Sequence, residues 1–377
     1  MKSVKPVLYS NDHKRIAILD SFRFLAITIV VLFHYYSRWA TLAETSLYPY
    51  ADKYDNAFFQ NGFLGVQFFF IISGFVIAFT INGCKSILEF LKRRFIRLFP
   101  PMLFCSFLTF VLIKLLDPDK HLLQLHSNAV DLIPSLTFTE PGFFEKIFSL
   151  KTDYIDGVYW SLAIEVKFYL IFGILYFINR KSAWKSWCIF VLVIELVWML
   201  IRYYKYEPVF ASHDFFNVFS YIFITRYLIY FTMGILFFNL YKDRKFLNNR
   251  SNLLLAMFTI ALLFATLYIT EVMRFKYLML IIAASILFLM FIYKPTYLSF
   301  LNNKFFQLVG LLSYEIYLLH KNIGIALINY IINVFSIGQY QFLVPLVVYG
   351  IIAGVSFFIF NYYEKPISRW LRVKLSL

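Results

Sequence analysis

Acidic side chains are scarce in this sequence. Its 377 residues hold 21 Asp and Glu against 36 Lys and Arg, and the four charged types together make up only 15%. An average soluble domain is about 25% charged, so a soluble globular class is excluded. Cysteine is sparse as well. Cys84, Cys105 and Cys188 all fall within apolar runs or on their cytoplasmic side, which excludes a disulfide scaffold. There is no glycine-rich phosphate loop, no Cys/His cluster with metal-ligand spacing and no serine nucleophile elbow. P-loop, metal-centre and serine-hydrolase readings go with them.

What the chain has in abundance is apolar length. Hydrophobic residues make up 61% and aromatic ones 21%, and the mean hydropathy is +0.69. This is the composition of an all-α polytopic membrane protein, because only helices or closed barrels satisfy the backbone in lipid. Forty-seven Phe and 28 Tyr suit interfacial belts. The net charge of +15 does not point to nucleic acid, since the basic residues sit in short loops between apolar runs. It speaks to topology and to anionic ligands or lipids at the cytoplasmic face.

About ten spans are expected: 16–37, 62–81, 98–116, 158–178, 187–203, 217–240, 253–270, 277–293, one from about 308, and 342–362. The seventh and eighth form a tight hairpin around Glu271 and Arg274. Tails 1–15 and 363–377 are then cytoplasmic, and loops 38–61 and 117–157 are the larger extracytoplasmic ones. In this arrangement the inner segments carry more than twice the Lys and Arg of the outer loops, as the positive-inside rule requires. Residues 129–138, AVDLIPSLTF, are too short to span and read as interfacial or re-entrant. The first span reads as an uncleaved signal anchor, and residues 1–377 as one integral membrane domain. Gly62, Gly65, Ser73 and Gly74 in the second span permit close helix approach.

The polar residues inside the spans are not spread evenly. In LDSFRFLAITIVVLFH, Asp20, Arg23 and His34 interrupt one apolar helix. His34 follows Arg23 by eleven residues, which returns it to nearly the same face roughly 16 Å along the axis. Ionisable groups in hydrocarbon cost several kcal/mol and point to function. The plainer alternative is that Asp20 and Arg23 only pair with each other. In KRRFIRLFPP, Lys92, Arg94 and Arg97 gather at the cytoplasmic surface, and the i, i+3 arginines suit a phosphate or pyrophosphate. A lipid-headgroup anchor would explain the same run. In VYWSLAIEVKFY, Trp160 stands beside Ser161, Glu165 and Tyr169, which form one i, i+4 stripe. Glu165 is expected to partner Arg23 or His34. In SYEIYLLH, Tyr317 and His320 lie on nearly one side.

A buried histidine near a carboxylate, with a cationic site at the cytoplasmic face, suits acyl transfer: an imidazole takes a proton from a hydroxyl while an anionic acyl carrier docks from the cytosol. These four segments, in this order, resemble the acyltransferase type 3 family of bacterial membrane O-acyltransferases, the family of O-antigen and exopolysaccharide acetylases. The resemblance implies about ten spans in the bacterial cytoplasmic membrane and transfer from cytosolic acetyl-CoA, without a metal, to a hydroxyl of an extracytoplasmic or lipid-linked glycan. It implies that His34 is the essential histidine, Arg23 its partner arginine and Arg94 with Arg97 the donor-side pair. Trp160, Ser161 and Glu165 match the family's W-[ST]-L-x-x-E motif. The rival readings are a transporter or flippase for a polysaccharide intermediate and a non-catalytic subunit of a polysaccharide synthase.

Overall fold

The computed structural model describes residues 16–38, 50–54, 56–117, 128–203, 219–220, 222–269, 275–335 and 338–377. Lead 1–15, half of loop 38–61, residues 118–127, the opening of the sixth expected span and the Glu271–Arg274 turn lie outside the described residues. All regular structure described is helical.

Eight helical stretches among the described residues are long and apolar enough to cross a membrane. They are Ala17–Arg38, Leu64–Ile81, Ile87–Leu116, Gly157–Ile178, Arg180–Ile201, Arg250–Ile269, Phe275–Tyr293 and Gly338–Lys374. The chain is therefore a helical multi-pass membrane protein. We label the helices used below α1 (Ala17–Phe33), α2 (Leu64–Ile81), α3 (Ile87–Leu116), α4 (Trp160–Ile178), α5 (Ala183–Tyr203), α6 (Leu228–Lys242) and α7 (Arg250–Ile269). After Phe275–Tyr293 (α8) come α9 (Lys304–Leu311), α10 (Ser313–Leu319), α11 (Asn322–Val334), α12 (Val344–Ile359) and α13 (Lys365–Lys374).

Three expectations meet a different local structure. The sixth expected span contains a helix of only 15 residues, α6. The ninth is divided into α9, α10 and α11. The basic segment before the third span is continuous with it, one 30-residue helix carrying Pro100 and Pro101 internally. A proline has no N–H, so Pro100 leaves the carbonyl of Ile96 without its i+4 donor. That carbonyl accepts the Ser368 hydroxyl instead (3.4 Å), and the helix passes through the prolines. Residues 129–138 form a 3-10 turn and a six-residue helix, too short to cross a membrane.

The described chain divides into two compact units, one made of Met1–Val66, Lys92–Ala163 and Phe300–Leu377, the other of Gln67–Leu91 and Ile164–Ser299. In the first, α1 is held along its length. Ser21 Oγ donates to the Leu301 carbonyl (2.6 Å), and Thr28 and Tyr349 share a hydroxyl hydrogen bond (2.9 Å). Phe24 stacks on Phe306 at 4.4 Å between ring centroids. A Cβ at Gly310 would collide with the Asp20 backbone, so α9 approaches α1 at a distance only glycine allows. The glycines of the second span act likewise: Gly62 and Gly65 meet the backbone of α1 within this unit, and Gly74 meets Phe231 in the other.

In the second unit, Gly74 of α2 and Gly234 of α6 lie backbone against backbone. Around them the packing is aromatic. Phe168 stacks on Phe231 at 4.1 Å, and the buried indole of Trp187 donates to Thr232 Oγ1 (2.9 Å).

Topology can be checked with single cysteines, because the native thiols are buried. A cysteine at Asn128 is expected to react with an impermeant maleimide from outside, and cysteines at Asn248 and Asn302 only after permeabilisation. Reversed labelling at Asn128 and Asn248 would overturn the orientation.

Candidate active site

The site in the first unit is built on two departures from α-helical geometry. The first is in the opening span: α1 ends at Phe33 and continues as a π-helical turn over His34–Arg38, a wide turn often found at functional positions. The second lies between α10 and α11, where the helix breaks at His320 and Lys321.

An unbroken helix would bond the Asn322 N–H to the Leu318 carbonyl. Here each group has found a side chain instead. Asn322 N–H donates to Asp156 Oδ2 (2.9 Å), and the Leu318 carbonyl accepts from the Tyr159 hydroxyl (3.0 Å). The Tyr317 carbonyl, which would accept from Lys321 N–H, takes His320 Nδ1 at 2.7 Å. Asp156 is fully buried. Its Oδ1 caps the turn into α4 by accepting Val158 N–H (3.1 Å) and stands 3.7 Å from Lys321 Nζ. A buried carboxylate needs such compensation, and backbone N–H groups with one cation supply it. The Asn322 side chain adds a bond to the Ile155 carbonyl (3.0 Å). The segment before α4 is thereby stapled to the break.

The consequence is a histidine pair. The rings of His34 and His320 lie 5.0 Å apart, edge to face at 84°. His34 Nδ1 is 3.0 Å from the Val30 carbonyl, and His320 Nδ1 is bonded to the Tyr317 carbonyl. A carbonyl can only accept, so each ring carries a proton on Nδ1, and in the neutral ring Nε2 keeps its lone pair. His320 is fully buried and no described group bonds its Nε2, whereas His34 is partly accessible. This arrangement can take a proton from a hydroxyl brought to His34.

The other residues singled out in the sequence fall into three groups. Ser161 and Tyr317 come together, as their hydroxyls share a 2.8 Å hydrogen bond and Tyr317 also donates to the Val158 carbonyl (2.8 Å). Trp160, half-buried, opens α4 beside them. Glu165 and Tyr169 also meet, in the second unit: Glu165 Oε1 accepts from Tyr169 and from Ser73 Oγ, each at 2.5 Å. The expected partnership of Glu165 with Arg23 or His34 is not among the hydrogen bonds described, for each has another acceptor. Arg23 donates to the buried Asp20 (2.8 Å), one helical turn away, and His34 uses a backbone carbonyl.

The third group is the basic segment of α3. Lys92, Arg94 and Arg97 are all half-buried. Arg97 is engaged in an ion pair with Glu364 and packs over the Tyr314 ring at 5.6 Å. Glu364 sits on a second π-helical turn, Phe360–Glu364, and the fully buried Glu315 interacts electrostatically with both Glu364 and Arg97. Arg97 is thus the charge partner of two buried carboxyls.

Asp156, Tyr159 and Lys321 were not singled out by sequence. The signal for Asp156 was an acid opening the turn before a predicted helix, the ordinary mark of an N-cap. Nothing local marks the break at His320, because no glycine or proline stands there.

Residues 16–363 match the family described as "Acyltransferase domain", and the chain belongs to that family. Part of it is similar to the O-acetyltransferase OatA of Staphylococcus aureus, 30% identical over 169 residues that cover 41% of this chain and 23% of that protein. A putative peptidoglycan O-acetyltransferase, YrhL of Bacillus subtilis, is 30% identical over 176 residues, 43% of this chain and 24% of that one. The peptidoglycan O-acetyltransferase OatA of Listeria monocytogenes is 26% identical over 211 residues, 51% and 30%. The matches span less than a third of these relatives' length. No solved structure matches the chain significantly.

The staple has a measurable weight. Asp156→Ala removes the acceptor of two backbone N–H groups and the partner of Lys321, a change expected to cost about 3–5 kcal/mol. Thermal unfolding of the detergent-purified protein should show a clear drop in midpoint. Asp156→Asn, which retains one acceptor oxygen, should lose less. Equal stability of Asp156→Ala and the wild type would remove Asp156 from this role.

Proposed function

We propose that this member of the acyltransferase family is a membrane O-acetyltransferase. It moves an acyl group, in the first instance acetyl, from a cytosolic acyl-CoA to a hydroxyl of a cell-envelope glycan at the bacterial cytoplasmic membrane. The observation that carries this reading is the histidine pair, with the partly accessible His34 turning its Nδ1 to the Val30 carbonyl. The names of the Bacillus and Listeria relatives make peptidoglycan the first acceptor to test.

In the proposed reaction His34 Nε2 takes the proton of the acceptor hydroxyl as its oxygen attacks the thioester carbonyl. A carbon–oxygen bond forms, the carbon–sulfur bond breaks, and the proton passes from His34 to the departing thiolate. The Val30 carbonyl fixes the His34 tautomer, in the manner that a carboxylate or backbone oxygen orients other catalytic imidazoles. His320 positions the His34 ring from its buried side. Lys92 and Arg94 serve the phosphates of the donor, while Arg97 and Arg23 hold their carboxylates and shape the basic surface around them. Glu165, with Ser73 and Tyr169, supports the fold of the second unit and takes no proton in this scheme.

Two substitution series test the proposal. Removing a general base costs about 10²- to 10⁴-fold in rate. His34→Asn should therefore abolish detectable transfer of labelled acetyl from acetyl-CoA in protein that inserts normally, whereas His320→Asn should retain measurable turnover. The opposite order would place the base on His320. Arg94→Ala should raise the apparent donor KM about ten-fold, as expected for one charged hydrogen bond. Arg97→Ala should instead lower the unfolding midpoint, because it leaves Glu364 and Glu315 without their cation. An unchanged donor KM in Arg94→Ala would remove Arg94 from the donor site.

A further inference from the structure

The second unit contains a cavity that has no part in the reaction proposed above. It has a volume of about 320 Å³ and lies where α2, α4 and α6 end and α5 and α7 begin. Its rim carries Arg180, Lys181, Lys185 and Lys242, and no Asp or Glu is among the described residues that line it. Asp243, next to Lys242, directs its carboxylate to the backbone N–H of Lys245 (2.9 Å).

The wall beneath the rim is aromatic and rich in amides. Tyr176 donates to Asn82 Oδ1 (3.0 Å), and Asn252 donates to the Phe246 carbonyl (3.2 Å), so two of the amides have fixed orientations. Arg180 is anchored by a hydrogen bond to the Lys85 carbonyl and by packing 4.6 Å over the Phe177 ring. Lys181, Lys185 and Lys242 are exposed and have no described partner. Trp184 lines the same cavity and is 5% exposed, yet its indole N–H, a group that can only donate, has no described acceptor. A buried donor left without an acceptor is unfavourable. Lined by cations and N–H donors, with no acid among the described residues, the cavity is matched to an anion with several acceptor oxygens.

We propose that this cavity binds the phosphate of a phosphate ester at the face of the membrane that the positive-inside rule assigns to the cytoplasm. Its volume is at the low end for ligand sites. It suits a lipid headgroup or a single nucleoside phosphate and is too small for a polysaccharide. The aromatic wall of Phe172, Trp184, Phe238 and Phe246 would lie against glycerol or a base. The proposal does not rest on the acyl-transfer reading.

The test uses the full-length protein in nanodiscs and detergent with two probes. Phosphatidylglycerol retention is measured by native mass spectrometry against phosphatidylcholine, and ADP binding by titration calorimetry. At least one probe should bind, more weakly as salt rises. Its affinity should fall at least ten-fold in the triple variant Lys181→Gln, Lys185→Gln, Lys242→Gln, and several-fold in Trp184→Phe, which keeps an aromatic ring and removes only the N–H. A control that removes three cations elsewhere, Lys276→Gln, Lys294→Gln, Lys374→Gln, should bind as the wild type does. Retention of the lipid alone identifies a headgroup, and saturable ADP binding a soluble phosphate. If neither probe binds, or if the control loses as much affinity as the triple variant, the proposal fails. Should the triple variant not insert, Trp184→Phe decides alone: unchanged affinity for both probes overturns the site.

Discussion

The carboxylate of Asp156 is the constraint on which the histidine site depends. A helix broken inside a membrane protein exposes one donor and one acceptor that lipid cannot satisfy, each at a cost of several kcal/mol. In this protein the donor, Asn322 N–H, goes to Asp156, and the acceptor, the Leu318 carbonyl, goes to Tyr159. Both partners come from the turn that opens α4, so the break and that turn stabilise each other. The break in turn frees the Tyr317 carbonyl for His320 Nδ1. The imidazole tautomer thus follows from the backbone accounting.

A second buried charge group follows the same logic with different parts. The π-helical turn at Phe360–Glu364 brings Glu364 to Arg97, and Glu315 lies in the field of both. Two buried carboxyls are stabilised by one half-buried guanidinium beside them. An arginine in a surface-like basic run thus has a partner on a distant turn. The proline pair beside it is accommodated because Ser368 hydrogen-bonds the carbonyl that Pro100 leaves without a donor. At both sites a side chain from a distant segment completes a helix that is locally incomplete.

Most of the fold was legible in the sequence, and the reason is the strength of the apolar signal. Eight of the expected spans appear as long helices, and the glycines of the second span mark real close approaches. Local pairs follow helix spacing, as Glu165 meets Tyr169 at i, i+4 and Asp20 pairs with Arg23 at i, i+3, the plainer reading of that segment, whereas the meeting of Ser161 with Tyr317 was not foreseen. What the sequence did not disclose is long-range or geometric. The break at His320 carries no glycine or proline, because its stability comes from Asp156, some 160 residues earlier. A π-helical turn changes the phase after Phe33, so periodicity alone does not place the Tyr35 and Tyr36 side chains. Of the two donors to Glu165, Tyr169 is its i+4 neighbour, but Ser73 lies on a separate helix.

The central claim is that His34 presents an unprotonated Nε2 because its Nδ1 proton is held by the Val30 carbonyl. Nitrogen-15 NMR of the histidine-labelled protein in nanodiscs tests this directly, with the signals of His34 and His320 assigned by their loss in His34→Asn and His320→Asn. The account predicts a protonated, pyrrole-type Nδ1 and an unprotonated, pyridine-type Nε2 for both rings near neutral pH. A protonated Nε2 at His34, with Nδ1 bare, would contradict it.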